Sequence, residues 1–349
     1  MMPRAQQVAS GAARRRPLAF RGRIGQGRLD QAPRRCQRGA AVLMALFVAT
    51  LATLIVSGLF WSQFVLLRTI ENQQLVSQSR LLLRGALDWS RAILREDQRT
   101  TAQDHLSEPW AQGLAETRLE QLGETSALAS LASIAGSIED AQGRYNLRNL
   151  LNSQDRNIDE AEVEVLRRLC ELLQVPEAAA DLIALRMMKA LGPQRTAQSD
   201  EALPRDDDAP RPLPLVLPQD LAGVTGLDPK DAAKLAPYVV ILDAPTQVNV
   251  NTAPPEVIAA RFPRMSLADA RALARQRETS YFVNTGDVRL TRFRSDDGLP
   301  GDAQISTGSR YFLVRGQVKL DRANTRMEAL VRRGERWETP PRVIWQREL

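Results

Sequence analysis

The chain has 349 residues, 44% hydrophobic and 25% charged, with 47 basic and 41 acidic side chains for a formal charge of +6. Ten Arg and one Asp fall within residues 1–39, leaving 37 basic and 40 acidic residues beyond them, a charge of −3, so the body carries no electrostatic footprint for nucleic acid. One His and two Cys, with no Gly-x-Ser-x-Gly, His-Glu-x-x-His or P-loop sequence, argue against an enzyme; no catalytic residue is assigned.

Residues 1–35 are rich in Arg, Gly and Gln, lack apolar periodicity, and are expected to be disordered. Residues 40–67, AAVLMALFVATLATLIVSGLFWSQFVLL, then run for twenty-eight positions without a charge. Roughly twenty apolar helical residues cross a bilayer's hydrocarbon core. The apolar positions encircle the helix until Ser62 and Gln63, which favours lipid over a protein core as its surroundings. The run exceeds the apolar part of a cleaved secretory signal, about 7–15 residues, and contains no Ala-x-Ala. Basic residues ahead of the span predict a cytoplasmic N-terminus and a periplasmic body: a single-pass protein of the bacterial inner membrane. Cys36 precedes the span, so Cys170 has no partner for an internal disulfide and is expected to pack as a small apolar residue.

The junction resembles the type IV prepilin signal: a basic leader ends in Gly39, and the apolar helix starts at Ala40. That resemblance implies a leader over 1–39, cut between Gly39 and Ala40 by a membrane peptidase on the cytoplasmic side, with the helix kept on the mature protein. Most pilins have Glu at the fifth mature position; here Met44 stands there.

Past the span, Leu82, Ala86, Trp89 and Ile93 step by four, three and four, predicting that an amphipathic helix continues to Arg99. Residues 40–99 thus read as a transmembrane half and a spine half, with a small head expected to start over 100–151. Within that head, residues 133–140 and 144–147 read as a β-hairpin turning at Ala141, Gln142 and Gly143.

Residues 152–300 read as helical. Asn157 and Glu160 suggest a capping box, Leu166, Leu169, Cys170 and Leu173 an apolar face, and Pro176 a helix start. Gly192 and Pro193 should stop that helix, and residues 193–219, with six Pro and three consecutive Asp at 206–208, should form an exposed loop. Two helix-hairpin-helix-like units follow. The first runs from 221–227 into a helix over 231–242. The second starts at VNVNTAPPEV (248–257), with Asn251 and Thr252 as the cap, turns at 262–266 and ends in a helix over 267–277. Residues 301–349 close the chain with strands at 309–320, 325–333 and 342–347, and Gly316 suggests a bulge in the first. The expected class is α+β, with the helical region inserted into an antiparallel sheet.

The prepilin-like junction, QGRYNLRNLL at 142–151, the Gly223/Gly226 unit, VNVNTAPPEVIAA at 248–260 and the closing SRYFLV occur in one order. That order resembles the general secretion pathway protein K family, the large minor pseudopilins of type II secretion, over residues 36–333. The resemblance implies a type IV pilin-like fold with a large α-domain in the sheet. It also implies a place at the pseudopilus tip, helping to start assembly for export of folded proteins. The implied partners are the other minor pseudopilins, the major pseudopilin, the inner-membrane assembly platform and prepilin peptidase. Absence of Glu at Met44 is itself a trait of the family.

Some members bind calcium in the α-domain, and members often carry Trp-Ile-Asp-x-Asp after the second helix. Here Ala184, Leu185, Arg186, Met187, Met188 and Lys189 stand there, and the three Asp at 206–208 lack an EF-hand's alternating spacing. No metal ligand is assigned and no cofactor is expected, the resemblance alone leaving calcium open. The alternative function is a membrane-anchored helix-hairpin-helix DNA-binding protein. A phosphate-gripping hairpin needs a Gly-rich turn, yet the turn at 262–266 has no Gly and Gly226 is soon followed by Asp228. With the body's charge negative, no nucleic-acid partner is expected.

Overall fold

A computed structural model describes residues 38–123, 129–154, 156–192, 211–292 and 304–349. The expected disordered leader, Cys36, Pro193 and the Asp run at 206–208 lie outside the described residues. The chain forms two units, one up to residue 66 and one over 67–349.

Helix α1 (Arg38–Thr100) is continuous over 63 residues. In the first unit it carries no charge from Ala40 onward, with mean hydropathy 2.4 over its best 18-residue window and none of that window buried. In the second unit the same helix becomes amphipathic. Ser79, Leu83, Leu87, Ser90, Leu94 and Asp97 form its buried ridge, at the three- and four-residue steps that share a helix face. The expected face through Leu82, Ala86, Trp89 and Ile93 lies one position off the centre of this ridge: Leu82 and Ile93 pack partly buried against the same core, whereas Trp89 is 54% exposed. The sheet makes the choice, because Phe312, Val314, Val318, Met327, Ala329 and Val331 pack with Leu83, Leu87 and Leu94 in one core.

Two strands follow, β1 (Leu114–Arg118) and β2 (Ala132–Asp140), paired antiparallel. The chain then leaves the sheet. It passes through β3 (Tyr145–Asn146), α2 (Glu160–Leu172), α3 (Ala178–Leu191), α4 (Pro229–Leu235), β4 (Val239–Val240) and β5 (Val248–Asn249). It continues through α5 (Pro255–Arg261), α6 (Leu267–Thr279), α7 (Thr285–Arg292) and β6 (Ile305–Ser306). It re-enters the sheet as β7 (Tyr311–Leu320), followed by β8 (Ala323–Arg332) and β9 (Arg342–Glu348). The sheet order is β1-β2-β7-β8-β9, antiparallel throughout, so the helical region is an insertion between two neighbouring strands. The class is therefore α+β and pilin-like, as expected.

Several local expectations are corrected. The hairpin over 133–147 does not form: Ala141–Gly143 is a 3₁₀ turn capped by Asp140, and β3 pairs in parallel with β4 of the insert. β2 takes β7 as its long partner, from Ala132↔Leu320 to Asp140↔Phe312. Gly316 makes no bulge, since its register runs unbroken opposite Gly136 and Met327. Its lack of a side chain instead admits α1, because a Cβ there would lie 3.1 Å from Leu83 Cδ2. Strand β1 has no counterpart in the sequence reading. α2 is capped by Asp159, which accepts from the N–H groups of Ala161 and Glu162, and not by Asn157. α4 stops at Leu235, because Val239 and Val240 are drawn into the pairing with β3. α5 starts after Pro254, the side chains of Asn251 and Thr252 being engaged elsewhere.

The insert has its own core, in which Leu166, Leu169 and Cys170 of α2 meet Ile183 and Met187 of α3 and Val257 and Ile258 of α5. Cys170 is free and buried, and burial pushes its thiol up to about 12, so it behaves as a small apolar side chain. A smaller cluster joins insert to sheet: Val240 and Leu242 pack with Ala141, Tyr311 and Leu330, with Trp345 alongside.

Candidate functional site

Gly39 and Ala40 lie in the first turn of α1 and Met44 about one turn further on. Ala40 is exposed, Met44 is 67% exposed, and no acidic side chain occurs in the helix before Glu71. The three share one short segment of the first unit, where Ala40 and Met44 are exposed.

The densest polar site lies in the second unit, at one end of the sheet where the insert leaves and returns. α1 supplies Asp97 from its last turn. The following loop supplies Thr101, Asp104 and Glu108, β2 ends in Asp140, and Ser309 and Arg333 flank β7 and β8. Asp97, Asp104, Glu108, Asp140, Ser309 and Arg333 are each at least nine-tenths buried. Arg333 Nη1 donates to Asp97 Oδ2 at 2.8 Å, and Nη2 donates to Asp104 and, at 2.8 Å, to the Ser309 carbonyl. Its guanidinium lies 4.5 Å from the Phe312 ring centroid. Glu108 accepts from Trp110 Nε1 at 2.8 Å, the His105 N–H at 2.9 Å and Thr101 Oγ1 at 2.9 Å.

The VNVNT segment binds the other side. Asp140 Oδ2 accepts from Ser309 Oγ at 2.6 Å, Thr252 Oγ1 at 2.6 Å and Asn249 Nδ2 at 2.9 Å, while Oδ1 accepts from the Gln142 N–H at 2.8 Å. Asn251 serves as a surrogate strand partner: its Oδ1 accepts from the Phe282 N–H at 2.8 Å and its Nδ2 donates to the Phe282 carbonyl at 2.9 Å. Asn149 does the same for Thr246, at 2.9 and 2.8 Å. Gly143 lets these segments touch, since a Cβ there would lie 2.9 Å from Thr252 Oγ1 and 3.2 Å from its carbonyl carbon. Buried backbone groups need partners, and here side-chain amides and hydroxyls supply them where no strand can.

Burial raises Asp97 to about 6, helped by the negative charge of Glu108, and raises Asp104 to about 7, helped by Asp140. Burial also raises Asp140, against the pull of its four donors. Asp97, Asp104 and Glu108 bring carboxylate oxygens within 4.8 Å of one another. A metal does not fit them as placed. The Arg333 guanidinium is the cation held by Asp97 and Asp104, and both Glu108 oxygens are committed to donors. What the arrangement does is hold: it ties α1, the sheet and the insert at one seam. In the insert, Ala184 to Lys189 lie on α3, with Ala184 and Met187 buried in its core.

The sequence reading did not foresee the seam. Its one local trace is the alternation Val248-Asn249-Val250-Asn251-Thr252, where polar side chains at buried positions signal fixed hydrogen-bond partners. Asp97, Asp104 and Arg333 are brought together only by the fold.

Two family models described as "Type II secretion system (T2SS), protein K" match residues 143–244 and 248–306. Their outer limits fall where the insert leaves β2 and where it returns toward β7, and they meet beside the Asn149–Thr246 clamp. A curated protein from Pseudomonas aeruginosa named type II secretion system protein K is 26% identical over 317 residues, covering 86% of this chain and 90% of its own length. In fold, the chain is similar to a solved chain of the GspK-GspI-GspJ complex from the type 2 secretion system of enterotoxigenic Escherichia coli. That match has a TM-score of 0.63 and 23% identity, and covers 80% of this chain and 98% of that one. By these matches the chain is similar to type II secretion system protein K, across its insert in the family models and over most of its length in the curated relative, and it shares the fold of the E. coli chain.

Proposed function

We propose that the chain caps the pseudopilus tip and helps to start its assembly. The observation that carries this is electrostatic: α1 has no carboxylate before Glu71, and Met44 stands where most pilins have Glu. An unpaired charge inside a membrane bundle is costly, so a pilin's fifth-residue carboxylate must pair with a neighbouring subunit's N-terminal amine. This subunit can offer the amine of Ala40, once Gly39 is cut away, but not the acid. Half of a reciprocal contact suits a filament's end, and the insert adds bulk that would obstruct stacking above it.

The excess of Arg before the span supports a cytoplasmic N-terminus and a periplasmic head. Prepilin peptidase, the assembly platform and the major pseudopilin are its partners in this reading. The other minor pseudopilins are its direct neighbours, as GspI and GspJ are in the complex named for the E. coli protein. Their contact stripe on α1 runs through Leu81, 64% exposed, Gly85 with open space beside it, and Trp89, 54% exposed. No cofactor is needed for this role, which is positional.

A photo-crosslinking amino acid at position 89 tests the reading in cells with a complete apparatus. It should capture another minor pseudopilin, and mass spectrometry of the product should find Ala40 as the N-terminus. Capture only of platform components, or an intact leader, would contradict it.

A further inference from the structure

The seam holds more acid than its one guanidinium can balance. Asp97 and Asp104 both bind Arg333, and their carboxyl oxygens, with one from Glu108, lie within 4.8 Å of one another, so two buried acids share one guanidinium. Every element packed here contributes charge. α1 brings Asp97. The loop after it brings Asp104, Glu108 and His105, whose Nε2 lies 3.9 Å from Glu108 Oε1. β2 brings Asp140, and β8 is followed by Arg333, the one buried cation at the seam among the described residues. Four carboxylates face one Arg and one His.

The same acids carry the insert's attachment. Asp104 Oδ2 accepts from the Ser309 N–H at 2.6 Å, and its backbone N–H donates to the Thr307 carbonyl at 2.9 Å. Asn249 Nδ2 donates to the Asp104 carbonyl at 3.0 Å and to Asp140 at 2.9 Å. The seam also forms one wall of a polar cleft of about 1220 Å³, lined by Thr101, Asn149, Thr246, Gly308 and Arg333 among others.

We propose that the Asp97–Asp104 pair is a proton-held latch between head and insert, closed while the pair keeps its proton and loosened when both acids ionise, so that the cleft can widen. With both acids ionised, two negative charges face each other with Glu108 and Asp140 close by and little water to screen them. Burial keeps the two protonated well above the ordinary carboxylate range, to about 6 for Asp97 and about 7 for Asp104. The folded seam therefore binds more protons than the unfolded chain. Its stabilisation is complete below pH 4 or so and is lost as pH rises through about 7.

Hydrogen exchange on the full chain in detergent micelles, corrected for the intrinsic pH dependence of exchange, reads the latch. Peptides spanning 97–110, 245–254 and 304–312 should lose protection between pH 5 and 7.5, by up to about tenfold per pH unit for each linked proton, while the insert core over 163–172 keeps it. Asp104→Asn retains an acceptor for the Ser309 N–H but cannot ionise, so it should flatten that slope. Asp97→Asn should do the same and serves if the first variant fails to fold. A wild-type seam without pH slope, or an unchanged slope in either Asn variant, would overturn the proposal. So would a slope that survives both Asn variants but vanishes in His105→Gln, because the switch would then be the imidazole.

Discussion

Arg333→Met is the most informative single change in the seam. Met retains much of the stem's bulk but removes every donor and the charge. The Ser309 carbonyl loses two contacts, at 2.8 and 3.3 Å, Asp97 loses one at 2.8 Å, and Asp104 loses its cation. Breaking a buried ion pair by removing one partner costs about 3–5 kcal/mol, since the other charge stays behind uncompensated. That applies at pH 8, where Asp97 and Asp104, raised to about 6 and about 7, are ionised in the wild-type protein. At pH 5.5 both acids can take up protons, so the loss should shrink to that of hydrogen bonds left unmade, about 1–3 kcal/mol. Urea unfolding of the full chain in detergent, followed by the near-ultraviolet circular dichroism of its buried aromatic side chains, measures both. Trp110 donates to Glu108 and packs edge-on to Phe312 at 5.2 Å, so it reports on this region. A loss under about 1 kcal/mol at pH 8, or equal losses at the two pH values, would refute the reasoning.

Gly143→Val should lower stability by about 1–3 kcal/mol, because its side chain would drive into the Thr252 backbone; an unchanged melting temperature would show that the segments can part freely. Asn251→Ala leaves the Phe282 N–H and carbonyl without their partner, at about 1–3 kcal/mol for each unsatisfied buried group, and should first expose residues 280–284 to proteolysis. Removing residues 309–349 takes away β7, β8 and β9 and leaves β2 paired with the short β1 alone, so cooperative unfolding should disappear from the remaining head. A truncated chain that still melts cooperatively around its sheet would contradict the insertion topology.

Much of the fold was legible because its signals are local. Twenty-eight uncharged residues define the first part of α1, and alternation with short polar turns defines β7, β8 and β9. The misread elements are those whose partners are distant in sequence. Tyr145 and Asn146 look like the return arm of a hairpin, but pair with residues 239 and 240. Gly316 looks like a bulge when read along its strand, yet its reason is Leu83 on another element. Asn251 and Thr252 have the chemistry of a helix cap, but their side chains bind Phe282 and Asp140. Trp89 looks like a core residue on an amphipathic face, and it is left exposed on α1. The seam was the least visible feature. Asp97, Asp104 and Arg333 are ordinary surface types in a helix end, a loop and a strand end, and only the sheet's closure places three charges in one dry site.

Position in the filament is the central claim, and labelling isolated pseudopili tests it most directly. Gold-conjugated antibody against the insert, counted by electron microscopy on pseudopili from cells producing this chain at its native level, should mark one end of each filament with a single copy. Met44→Glu should leave that pattern unchanged, since the insert still obstructs stacking. Label distributed along the shaft, or several copies per filament, would contradict a tip subunit.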